Sequence, residues 1–450
     1  METGIGDLLA IAIPAILFAF FIVVVMVHKE LGPFVGASTG GKWILTLAFG
    51  MGVLAFSFKT VVALSVAKAP ERVVAPALAA YRQSPVQHLP DAERLFAVGA
   101  LPARYVWEAL PTVAPAPADN PTTPEKVALG KRLYYDTRLS GDGTLSCASC
   151  HDLYDKAGGD GRRTAQGIAG QVGGRNVPTV WNAAFQSVLF WDGRARSLEE
   201  QAAGPIMNPI EMGMPTAVEA AQRIAADPAY REEFARVFGA GQAINLELIA
   251  KAIAAFERTL VTPDAPYDRF VRGDTGVLTA PQQRGMALFE SLGCVTCHQG
   301  PAFSDASLLG GKMAFRVFPA NATPFETRYG LMRDGGATGR ENVRGVWRVP
   351  SLRNVALTGP YFHNGSVDTL EEAVRIMASA QLGAQLATSR HAVDAQQATW
   401  SPATRSFVRE TRRSVSERDI ADIVSFLRAL SSDTLVVRVG AEKPSQLSRR

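Results

Sequence analysis

Cys147-Ala-Ser-Cys150-His151 and Cys294-Val-Thr-Cys297-His298 use every cysteine of the 450-residue chain. In a C-x-x-C-H pentapeptide the two thiols can bond to the vinyl groups of one haem, and the adjacent imidazole becomes an axial iron ligand. Two copies therefore predict two covalently bound c-type haems. A four-thiolate zinc site or a thioredoxin-like redox pair would also use C-x-x-C, but neither accounts for a His after each pair.

The phrases around the motifs repeat as well. Val177-Pro178-Thr179-Val180-Trp181-Asn182 is echoed by Val349-Pro350-Ser351-Leu352-Arg353-Asn354, and at the same offset Phe190-Trp191-Asp192-Gly193 falls on Phe362-His363-Asn364-Gly365. Such self-similarity implies two related monohaem domains. Carried further, the offset places Pro205 opposite Met377. A methionine thioether can ligate haem iron and raise its potential, whereas proline offers no donor. Of the six histidines none lies between His151 and His298, so the first haem has no evident sixth ligand while the second has His298 and Met377. One iron is then open for oxygen or peroxide chemistry and the other suited to electron transfer.

These motifs, with Arg175-Asn176-Val177-Pro178-Thr179, Glu200-Gln201-Ala202-Ala203-Gly204-Pro205 and Pro360-Tyr361-Phe362-His363, resemble those of the bacterial dihaem cytochrome c peroxidases over roughly Pro121 to Leu430. The resemblance implies that an N-terminal haem reduces hydrogen peroxide to water and a C-terminal haem receives electrons from a small cytochrome c or cupredoxin. It also assigns Trp191 a place between the haems as an electron conduit, Gln201 a place in the distal pocket, Glu211 the general acid/base work, and Met377 the distal ligation. Asn176 and the carbonyls of Thr358 and Pro360 match a calcium site between the domains, and calcium accepts such oxygen ligands. His363 is left between haem-edge hydrogen bonding and packing.

There are two departures from that pattern. The loop 152–174, where many relatives carry a His that blocks the peroxide-reducing iron, has none, so the first haem is expected to bind ligands without prior reduction of the second. The chain also opens with apolar segments where many relatives have a cleaved export signal. The competing functions are a related dihaem enzyme that oxidises a protein or organic substrate through high-valent iron, and a membrane-tethered carrier without catalysis. The maturation enzyme of that first class bears Tyr where Met377 stands.

The elements that must position these groups are mainly helical. Thr123-Pro124 and Ala280-Pro281 mark helix starts before each haem motif, and the resemblance makes each half a class-I cytochrome c-like domain, 121–262 and 263–432, with a tail at 433–450. Upstream, apolar runs at 8–27 and 43–66 have the length of membrane spans, the second interrupted by Lys59. Lys29 and Lys42 between them place that loop in the cytoplasm and the haem domains in the periplasm, anchored at 1–68 to the inner membrane. Ala67-Lys68-Ala69 gives an alternative, a signal cleaved after Ala69. The Ala- and Pro-rich stretch 69–120, with its unpartnered His88, is expected to be some helix followed by a stiff linker. A formal charge of +4 gives no cause to expect nucleic acid as a partner; a homodimer stays open.

Overall fold

The computed structural model describes residues 105–337, 344–386, 395–401, 406–412 and 414–441. The apolar runs at 8–27 and 43–66, His88 and His391 lie outside them. Among the described residues no helix is long and apolar enough to cross a membrane.

Eight helices frame the two haem motifs: α1 Pro124–Tyr134, α2 Leu198–Met207, α3 Ala217–Ala225, α4 Pro228–Phe238, α5 Leu246–Glu257, α6 Ala280–Ser291, α7 Leu370–Ile376 and α8 Glu417–Arg428. The expected starts hold. Thr123 accepts a hydrogen bond from the Lys126 amide ahead of Pro124 in α1, and Thr279 and Gln282 form a capping box around Pro281 in α6. Such caps satisfy the amides that a first helical turn leaves unpaired.

Each half is held by one helix crossing that only glycine permits. A Cβ on Gly130 of α1 would stand 1.9 Å from the Ala252 carbonyl oxygen of α5, and one on Gly285 of α6 would stand 1.9 Å from that of Asp422 in α8. The close approach lets Leu133, Ile249, Ile253 and Phe256 share one core and Phe289, Ile423, Phe426 and Leu427 another. Burying each such side chain stabilises by roughly 1.5–3 kcal/mol.

The duplication extends to the backbone. Asn182 and Asn354 both adopt left-handed φ, 63° and 60°, and so do Phe190 and Phe362, 64° and 66°. A bulky residue in that region is uncommon, so its recurrence marks a turn both halves need to aim the next side chain, Trp191 or His363. The two asparagine amides converge on one hydroxyl, Thr262 Oγ1, at 2.7 and 3.1 Å. There is little sheet: β1 Phe315–Val317 pairs antiparallel with β2 Val346–Arg348, and β3 Ala395–Ser401 pairs with β4 Ser406–Arg412 in the insertion after Met377.

Two expectations change. Residues 105–120 carry no helix, as a stiff linker would, yet they are packed against the body. Leu110 is fully buried, its amide donates to Asp268 Oδ1 at 2.8 Å, and the Gly300 amide donates to the Tyr105 hydroxyl at 3.0 Å. Trp107 packs against Phe426 and Tyr267. Apolar side chains in the segment supply the driving force. The expected tail likewise begins as a helix, Asp433–Ala441, with Leu435 buried.

Candidate active site

One cavity of about 750 Å³ is lined by both C-x-x-C-H motifs and by Met377, Trp191, Gln201 and Glu211. Sequence-distant candidates are thus brought to one wall. His151 Nδ1 lies 3.0 Å from the Gly158 carbonyl and His298 Nδ1 lies 3.1 Å from the Phe303 carbonyl. A carbonyl can only accept, so Nδ1 carries the proton in each ring and Nε2 is left with a free lone pair, the tautomer an iron ligand needs. Burial holds both imidazoles neutral, His298 down to about 4.

The remaining wall fits haem. Gln186 Nε2, Arg316 Nε and Trp347 Nε1 are buried donors lining it that lack a protein partner, and the buried ring nitrogen His363 Nε2 lacks one too. Orphaned buried donors are costly, and haem propionates are carboxylate acceptors of the kind they require. Arg348, buried and pulled down to about 10 by desolvation, donates to the Phe190 carbonyl and to Gln186 Oε1 on the same wall. No cluster of three or more His, Cys, Asp or Glu residues placed to hold a metal ion occurs among the described residues.

Near the first motif, Gln201, Pro205, Asn208 and Glu211 line the cavity. Pro205 sits inside α2, while its counterpart Met377 caps α7 and opens a π-turn to Gln381. Gln201 lies one turn before Pro205. Glu211 Oε1 accepts from the Asn208 amide at 2.8 Å. Burial raises its pKa, opposed by the Arg194 cation and the Asn208 hydrogen bond. The histidine-free loop folds directly onto this residue: the Ile168 amide donates to the Glu211 carbonyl at 2.7 Å, and a Cβ on Gly167 would stand 1.9 Å from the Ile210 carbonyl oxygen. The loop's glycine therefore brings backbone, rather than an imidazole, to the pocket.

Trp191 ties the halves together. Its indole N–H donates to the Asn176 carbonyl at 2.8 Å, its own carbonyl accepts from the Arg348 amide at 2.9 Å, and its ring stands edge-on to His363 at 6.5 Å. His363 is 2% exposed and stacks on Trp347 at 3.9 Å. The Asn176 side-chain amide donates to the Arg162 carbonyl at 2.8 Å, and Asn176, Thr358 and Pro360 all line the cavity. Sequence reasoning missed the donors Gln186, Arg316, Trp347 and Arg348, whose only signal was polarity inside an otherwise apolar stretch.

The family model for di-haem cytochrome c peroxidase matches residues 124–276. The chain is 43% identical to cytochrome c551 peroxidase of Nitrosomonas europaea over 60% of this chain and 78% of that protein. The chain belongs to the di-haem cytochrome c peroxidase family. Its chemistry is accordingly that of a peroxidase, an oxidoreductase reducing hydrogen peroxide, and its cofactors are two c-type haems. It is also 45% identical to cytochrome c peroxidase Ccp of Escherichia coli over 61% of this chain, spanning 57% of that relative's length. Among solved structures, a MauG-like protein associated with microbial copper homeostasis superposes with a TM-score of 0.59 at 31% identity, over 74% of this chain and 96% of that one.

Proposed function

We propose that the peroxidase divides its labour between the halves: electrons enter at a C-terminal haem held by His298 and Met377, and peroxide is reduced at an N-terminal haem held by His151 alone. The observation that carries this reading is the exchange of Pro205 for Met377 at equivalent places on one cavity wall. Bound there, the haems would supply redox-active iron, with His151 to hold the first and His298 and Met377 to hold the second. Glu211 moves the proton from one peroxide oxygen to the other, a transfer for which a buried carboxyl with a raised pKa is suited. The Gln201 side chain orients substrate within the pocket, and Trp191, bonded to both halves, carries electrons between them. The fully oxidised protein is then competent to bind ligand. Mixing it with cyanide or peroxide while following the Soret band tests this; a band that stays inert until one electron is added would show that some other group occupies the distal position.

The likeness to a MauG-like structure and the histidine-free loop favour a second reading, oxidation of a larger substrate at the same haem. Turnover of peroxide with a reduced small cytochrome c or cupredoxin as donor separates the two. We further infer an inner-membrane anchor with the haem halves in the periplasm, supported by the apolar runs at 8–27 and 43–66 and by Lys29 and Lys42 between them. Release of the haem halves by external protease, against a mature N-terminus at Pro70, distinguishes an anchor from a cleaved signal. For calcium, the oxygen-only set of Asn176, Thr358 and Pro360 supports a site that chelator sensitivity would test.

A further inference from the structure

Superposing the halves by their helix crossings exposes a third exchange. Ala252 of α5 meets Gly130 as Asp422 of α8 meets Gly285, and the Asn182 amide donates to the Leu260 carbonyl at 2.8 Å as the Asn354 amide donates to that of Leu430 at 3.2 Å. Between these fixed points Ile253 corresponds to Ile423 and Glu257 to Leu427, and all four line the cavity. The half that reduces peroxide thus presents a carboxyl where the electron-transfer half presents leucine.

Glu257 is 5% exposed, and its Oε2 has no partner. The charged and titratable groups facing it are Arg258 beside it, Glu199 of α2, Tyr134 of α1 and Cys147. Arg258 is engaged by Glu199 at 2.6 Å, the Tyr134 hydroxyl donates to the His151 carbonyl, and Cys147 becomes a neutral thioether once haem is attached. Arg258 opposes the effect of burial on Glu257, but its charge is shared with Glu199, which acts in the same direction as burial. Burial pushes its carboxyl up to about 8, and its place on the last turn of α5, at the negative end of the helix dipole, acts in the same direction.

We propose that Glu257 is a proton site coupled to the N-terminal haem, taking up one proton as that haem accepts an electron. An added negative charge across a shared cavity favours the protonated carboxyl. In the step, one electron arrives from the donor through the C-terminal haem and one proton arrives from water. The Glu257 carboxylate becomes a carboxylic acid; an O–H bond forms and no protein bond breaks. Peroxide reduction consumes two electrons and two protons, and the stored proton leaves in the water produced. The exchange to leucine follows the same logic, since the electron-transfer half consumes no protons.

The test is a redox titration of the full-length holoprotein across pH, with the haems resolved by electron paramagnetic resonance. Above about pH 8, between the pKa of the carboxyl in the oxidised state and its higher value in the reduced state, the one-electron equilibrium constant of the N-terminal haem should fall by up to about tenfold per pH unit as pH rises, and that of the C-terminal haem should not. Glu257→Gln and Glu257→Leu should both flatten the slope. Proton release or uptake on reduction, read with an indicator dye in the wild-type protein, requires no variant, so poor haem loading of one substitution leaves the proposal exposed. A flat wild-type slope with no proton uptake overturns it, and so does a slope that survives Glu257→Gln. The choice of haem rests on the division of labour above. An oxidised iron closed to cyanide would overturn that division while leaving the pH slope as a separate result.

Discussion

The two halves share a crossing glycine, left-handed Asn and Phe residues and a histidine oriented by a backbone carbonyl, yet differ at several side chains that line the cavity. The first offers Pro205, Gln201 and Glu211; the second offers Met377, and Ala373 stands at the place of Gln201. Duplication preserved what attaches and orients a haem. The differences along the cavity include the groups that the proposed function assigns to the sixth iron position and to proton supply.

The comparison is broken most severely by removing one attachment. Cys147→Ala with Cys150→Ala should leave a protein with one covalent haem instead of two on a denaturing gel and abolish peroxide turnover, while the C-terminal haem keeps its spectrum. Next in size, Glu211→Gln should slow peroxide cleavage by roughly 10²–10⁴-fold, the range general acid–base groups contribute. Stopped-flow cyanide binding should change far less, because it does not need the proton transferred. Equal losses in both would make Glu211 a packing residue.

Two smaller changes sharpen it. Met377→His should lower the potential of the C-terminal haem with haem content intact, and Pro205→Met should give the N-terminal iron a sulfur ligand and suppress cyanide binding to the oxidised protein. A redox titration unchanged by Met377→His would make that methionine core only. Smallest, Gly130→Ala and Gly285→Ala should each destabilise by about 1–3 kcal/mol, as overpacked contacts do. Denaturant unfolding followed at the Soret band of each haem should show each substitution loosening its own half.

Much of this was legible because covalent haem attachment demands particular residues in sequence. The C-x-x-C-H pairs, the repeat through Asn182 and Asn354, and the Pro205 to Met377 exchange all lie in gapless stretches where offset alone finds the partner. Glu257 was missed because the register between the halves shifts before α5 and α8, so only the helix crossings reveal Leu427 as its counterpart. The wall donors Gln186, Arg316 and Trp347 were hidden for another reason: each is an ordinary polar residue until folding buries it without a partner. The seat of residues 105–114 was equally invisible, since Pro-rich composition predicts stiffness but not what a buried Leu110 will touch.

That seat bears on how the molecule is made. Leu110 leaves the ribosome before Asp268, whose carboxylate its amide will reach, and before Gly300, Arg353 and Phe426, which complete the surroundings. The side chain of Leu110 shares a core with Phe185, Leu189 and Leu198 of the first half, while its backbone amide is satisfied by Asp268 of the second. Seating residues 105–114 in full therefore needs side chains of both halves, so a segment that precedes both in the chain can complete its contacts only after the second has been made.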